Sequence, residues 1–219
     1  MNEMQLLTWV RGPGLNIAIG IFLLGTIWRL IEIYSLGRKH DLAAPRQRAG
    51  ASGWHTILRR SLPAPGLMQR SPISYVGGYI FHVGLAIVVF LFAPHIKLID
   101  SLLGISWPGL PSQVIDSVTV ITLAAMLVML FDRISRPVKR FLSTFEDYFT
   151  WALTFLPLLT GYLAVKHLLL PYTGMLALHI LSVELLLIAI PFSKLFHAFT
   201  LFGSRWYNGA INGRRGVAV

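Results

Sequence analysis

The chain carries seven histidines, and four of them lie in strongly apolar segments: His82, His95, His179 and His197. An ionisable side chain at membrane depth is costly and usually functional. A single one can be satisfied by a hydrogen bond across helices. Four, on two segments, read as two pairs of metal ligands. There is no cysteine, which removes disulfides, thiolate zinc sites, iron–sulfur clusters and covalently attached haem. Zinc between facing imidazoles would need further ligands, and Glu184 is the one candidate at that depth. Haem instead accepts two axial imidazoles from helices on its opposite faces. The donor set therefore suits non-covalent, b-type haem, most simply two of them.

The elements that must hold these residues are membrane helices. Of 219 residues, 55% are hydrophobic and 13% charged, against about 25% charged in an ordinary soluble domain. Disorder is excluded by the same apolar content. Five segments approach or exceed the roughly 20 apolar residues that span a bilayer: 14–34, 74–96, 114–131, 148–165 and 172–197. They are continuous rather than alternating, so a β-barrel is not expected. The opening MNEMQLLTWVRGPG has no basic region leading directly into a short apolar stretch and cleavage site, and is not read as a removable signal. The expected fold is all-α: one integral membrane domain of five transmembrane helices.

A net charge of +10 would suggest nucleic acid in a polar chain. Here its placement reports orientation. Arg38, Lys39, Arg46, Arg48, Arg59, Arg60 and Arg70 fall between the first two spans. Arg133, Arg136, Lys139 and Arg140 fall between the third and fourth, and Arg205, Arg214 and Arg215 follow the fifth. Arg11, Lys97 and Lys166 face the other side. The positive-inside rule then puts the N-terminus outside and the C-terminus in the cytoplasm. The basic loop 36–72 reads either as a docking surface or as a segment lying on anionic headgroups.

Orientation sorts the histidines into two levels. His82 and His197 fall near the cytoplasmic side, and His95 and His179 near the outside. At about 1.5 Å per residue, the 13- and 18-residue separations span roughly 20 and 27 Å, room for two stacked cofactors in a bilayer core of about 30 Å. Eighteen residues are five full turns, so a continuous fifth helix would put His179 and His197 on one face. Thirteen leave His95 about 140° from His82. Pro94 distorts the helix there, turning His95 either inward or into the outer loop. Gly77, Gly78, Gly84, Ala86 and Ala177 would leave room for a flat macrocycle, or would serve close helix packing.

These residues resemble a known family. FHVG at 81–84 and PFSKLFH at 191–197 are similar to the ligand motifs of the gamma, or cytochrome b, subunit of respiratory nitrate reductase. Phe92 stands where that subunit has its second histidine, and APHI follows it. That departure, with RISRPVKRFLSTFEDYFTWALTFLPLLTG at 133–161, resembles the cytochrome b subunits of heterodisulfide-reductase-like complexes, including those associated with dissimilatory sulfite reduction. The resemblance implies five helices, two b haems held by the second and fifth, and electron exchange between quinone, expected to be menaquinone, and a cytoplasmic iron–sulfur subunit. It also implies a hetero-oligomeric complex in a prokaryotic inner membrane, in which this chain is an electron-transfer subunit rather than a complete enzyme.

Other residues carry paired expectations. Lys97, with His95, contacts quinone or anchors the interface. Glu184 relays protons or bonds across helices. Lys194 meets an inner haem propionate or snorkels to the headgroups. Arg136 and Arg140 meet propionates or the partner, or simply set topology. Asp147 pairs with these arginines or caps the fourth helix. Two rival readings differ in class: an anchor or assembly subunit with one haem or none, with His95 exposed in the outer loop, and a small transporter.

Overall fold

The computed structural model describes residues 2–37, 42, 44–46, 49–63 and 65–217. Arg38, Lys39, His40 and Arg48 of the basic loop lie outside the described residues. Eleven α-helices are present among the described residues, and no strand. They are α1 (Glu3–Trp9), α2 (Leu15–Ser35), α3 (Ala49–Arg60), α4 (Pro65–Arg70), α5 (Pro72–Leu91), α6 (Ala93–Leu103), α7 (Ser112–Ser135), α8 (Pro137–Leu142), α9 (Phe145–Val165), α10 (Tyr172–Ala189) and α11 (His197–Arg214). Five helical segments are long and apolar enough to cross a membrane: Glu3–Ser35, Pro72–Leu91, Ser112–Ser135, Phe145–Val165 and Tyr172–Phe192. The chain is an all-α, multi-pass membrane protein.

Three boundaries differ from the sequence expectation. The first span begins at Glu3 rather than near residue 14, because the π-helical turn Val10–Gly14 carries the chain past Pro13 into α2. The second stops at Leu91, where Phe92 turns extended, and does not run on to residue 96. The fifth loses α-helical form after Ala189. It tightens into a 3₁₀ turn, Ile190–Phe192, and breaks at Ser193, whose backbone is extended. His197 therefore opens a new helix, and the five-turn argument for its sharing a face with His179 does not hold.

The chain divides into two compact units, one of Met1–Ala18 with Ser71–Leu186 and the other of Ile19–Arg70 with Leu187–Val219. In the first, α5 packs on α7 through glycines. A Cβ on Gly84 would overlap the Thr122 hydroxyl, and one on Gly77 would come within 2.7 Å of Met129. That hydroxyl is held by a 2.7 Å bond to the Val118 carbonyl. These two glycines serve close packing; Gly78 has nothing near it. Val88, Ile115, Leu123, Met126 and Leu158 form the buried core there. A smaller core joins Leu7 and Val10 to Ala177 of α10.

At the α7–α8 junction, buried Asp132 pairs with Arg136 at 2.5 Å and with Lys139. Lys139 also reaches the Ser74 hydroxyl at 2.7 Å, tying this end to α5. Asp147 caps α9, accepting from the Thr144 backbone N–H at 2.8 Å in a capping box. Its basic neighbour is Arg133, at 3.9 Å, rather than Arg136 or Arg140.

In the second unit, α3 and α11 lie in close contact. Gly209 and Gly213 admit Thr56 and Ser52, and Gly53 admits Trp206. Arg205 donates to the Ser61 hydroxyl at 3.0 Å. Gly25 of α2 receives Pro191 and Phe192. The Arg29 guanidinium lies 5.9 Å from the centre of the Phe196 ring, and Phe22 meets Phe199 at 5.8 Å.

Gly84→Val tests the packing. Branched bulk against Thr122 forces α5 from α7, with an expected loss of about 1–3 kcal/mol. Denaturation of the purified protein in detergent should show it, while Gly78→Ala leaves the midpoint unchanged.

Candidate functional site

The break at Phe92 places His95. Pro94, at the second position of α6, has no N–H to return to the end of α5. The carbonyls of the last α5 turn take other donors. The His95 Nδ1–H donates to the Val88 carbonyl at 2.9 Å, the Trp107 indole to Phe90 at 2.6 Å and the Leu110 N–H to Leu91 at 2.9 Å. Residues 104–110 thus fold back over the helix end. Phe92 meets its ring edge-on, with centres 5.3 Å apart. Burial pulls the His95 pKa below the ordinary histidine value, opposed by its bonds to the Val88 and Val89 carbonyls.

His179 of α10 is placed by α9. Its Nδ1–H donates to the Pro157 carbonyl at 3.0 Å. Gly161 makes room for the ring, since a Cβ there would lie 3.0 Å from its Cε1. The Thr160 and Ser182 hydroxyls join the two helices at 3.1 Å. His95 and His179 come together, with ring centres 6.2 Å apart and planes 17° from parallel. The sequence paired them by depth alone.

A metal bound by two imidazoles, with bonds of about 2.0–2.1 Å on each side, puts the ring centres roughly 6 Å apart. A carbonyl can only accept, so each Nδ1 carries the proton and each lone pair lies on Nε2, the atom an iron would take. Among the described residues, no group of three or more His, Asp or Glu could hold a metal ion. A haem supplies four nitrogens of its own, so two imidazoles complete it. The residues fit haem.

His82 and His197 belong to different units, and each is set by contacts within its own. The His82 Nδ1–H donates to the Gly78 carbonyl at 2.7 Å, and Phe81 stands edge-on to its ring at 4.7 Å. Gly78, one turn before it, has nothing near the place of a Cβ, unlike Gly77 and Gly84, which seat side chains of α7. The His197 Nδ1–H donates to the Lys194 carbonyl at 2.7 Å. All four histidines thus share one tautomer, set by backbone carbonyls.

Lys97 is exposed on α6 and lines a cavity of about 250 Å³ with Ala93, Ile96, Asp100, Ser106, Trp107 and Gly109. The cavity borders the segment that carries His95. Lys194 is exposed in the turn before His197. Arg136 pairs with Asp132, which also binds Lys139, so the cluster keeps a net positive charge, and Arg140 is exposed on α8. Glu184 is only 3% exposed. Its Oε1 has no hydrogen-bond partner and lies against Trp9 and Gly14, where a Cβ would come within 2.8 Å. Lys166 pairs with Asp116, a hydrogen bond that raises the lysine pKa.

Sequence reasoning missed the carbonyl acceptors, Gly161 and Asp132. The glycine one turn after Pro157, in LPLLTG, was the available signal for His179's ring space.

The chain is thus an all-α, multi-pass membrane protein in which His95 and His179 lie together. It is 32% identical over 202 residues to a protein of Nitratidesulfovibrio vulgaris (strain Hildenborough) whose name states no function, covering 90% of this chain and 89% of that one. The chain belongs to the same family as that protein. No family model and no solved structure matches it.

Gly161→Val should crowd the His179 ring and misalign it. In purified protein, titration with haemin should then show weaker uptake than wild type, while Gly203→Ala, where a Cβ meets nothing, leaves uptake within error.

Proposed function

We propose that the chain is a di-haem b subunit of a respiratory complex, exchanging electrons between membrane quinol or quinone and a cytoplasmic iron–sulfur partner in a prokaryotic inner membrane. The observation carrying this reading is the His95–His179 pair: two imidazoles at metal-bridging separation, each with its proton committed to a carbonyl. The second haem rests on sequence and on local geometry, with His82 and His197 as its ligands. When bound, haem supplies one-electron redox chemistry.

The protein's own residues do the rest. Carbonyls of Val88, Pro157, Gly78 and Lys194 orient the ligands and enrich the electron density on Nε2. Apolar helices exclude water. The cavity lined by Lys97 and Asp100, beside His95, is large enough to admit part of a small ring, and Lys97 offers it a hydrogen-bond donor. Glu184, buried and without a partner for Oε1, is the residue best placed within the helices to exchange a proton. On the opposite side, Arg140 and Lys194 offer positive charge to haem propionates or to an acidic partner surface. The orientation is the one the basic residues dictate, N-terminus outside.

Haem content per chain, measured by pyridine haemochrome on purified variants, tests the assignment. Wild type should bind two. His95→Ala, His179→Ala and the double variant should each bind one, because those residues share a haem. His82→Ala with His95→Ala should bind none. A His95→Ala protein that keeps two haems would overturn that ligand.

A further inference from the structure

Helix α3 has two unlike faces. Gly53, Thr56 and Ser52 meet α11. Trp54 and Leu58, four apart on α3, face outward and are 64% and 71% exposed, and Leu62, in the turn just past the helix end, is 73% exposed. Large apolar side chains in that register form a stripe along one side of a helix. Arg59 and Arg60 close the helix and Arg70 ends α4, all exposed.

The pair α3–α11 cannot stray far from the bilayer. The fifth span ends at Phe192 and α11 begins at His197, so only a short turn separates α11 from hydrocarbon. That turn is fastened to spanning α2 by Gly25 against Pro191 and by Arg29 over Phe196. Helix α3 is in turn locked to α11 by the glycine contacts. An amphipathic helix with an outward tryptophan–leucine stripe, basic residues at its end and a tether at the membrane surface has the composition of an interfacial helix. Its arginines complement anionic headgroups.

We propose that α3 lies in the membrane interface, with Trp54, Leu58 and Leu62 at the boundary between headgroups and acyl chains and Arg59, Arg60 and Arg70 on anionic phospholipid. Of the two readings of the basic loop, this assigns the outer face of α3 to lipid. A protein partner would dock elsewhere on the basic side.

The absence of native cysteine makes the test clean. Leu58→Cys, and separately Trp54→Cys, are spin-labelled in the full chain. Both positions point away from α11, so the helix pair is preserved. The protein is reconstituted into phosphatidylcholine vesicles with and without phosphatidylglycerol. Power-saturation EPR then compares collisions with dissolved oxygen, which partitions into the bilayer, and with a water-soluble nickel chelate. Oxygen should dominate at both positions, with the margin growing when phosphatidylglycerol is present. Nickel contact exceeding oxygen contact at both positions would overturn the proposal. So would shielding from both reagents, which would place a protein surface over the stripe.

Discussion

A helix that stops inside a membrane must find donors for its last carbonyls, because hydrocarbon offers none. At Leu91 the chain meets this constraint three times over. The Val88, Phe90 and Leu91 carbonyls stand in the last turn of α5, where Phe92 turns extended and Pro94 has no N–H to give. They take donors from the His95 imidazole, the Trp107 indole and the Leu110 amide. One break therefore orients an imidazole, folds the 104–110 segment over α5 and forms the cavity that Lys97 lines. A straight helix would have carried His95 about 140° away from His82 and left it to the loop.

The same economy of backbone groups recurs at the other three histidines. Pro157, inside α9, presents its carbonyl to His179; Gly78, one turn before His82, presents its own; and Lys194 does so for His197. A carbonyl is the least mobile acceptor available, and it leaves the ring no choice of tautomer. Small residues then decide where helices touch and where they do not. Gly77 and Gly84 bring α5 onto α7, Gly209 and Gly213 bring α11 onto α3, and Gly161 holds open the space for the His179 ring.

Much of this was legible in the residues. Five apolar runs gave five spans, because hydrocarbon thickness and helical rise fix the length such a run needs. The pairing of His95 with His179 followed from depth once the positive charges had set direction. What could not be read was where helices end for tertiary reasons. Pro191 in LLLIAIPFSK marks a break nearby, but the extended residue at Ser193 is placed by α2, which meets the turn through Gly25 and Arg29. Likewise, Asp132 looked like one more charge at a helix end. Its burial with Arg136 and Lys139 depends on α8 folding back. Gly77 and Gly84 could serve a macrocycle or a helix seam, and only the position of α7 decides between them.

The central claim is that His95 and His179 share one ferric haem. Low-temperature EPR of the oxidised protein in native membranes tests it most directly, because the signal reports axial ligands and the angle between their planes. Imidazole planes 17° apart predict a rhombic low-spin signal rather than the strongly axial one of perpendicular rings, and that signal should vanish in His179→Ala while any second haem signal remains. A spectrum with no low-spin bis-imidazole signal, or a His179→Ala spectrum identical to wild type, would contradict the account.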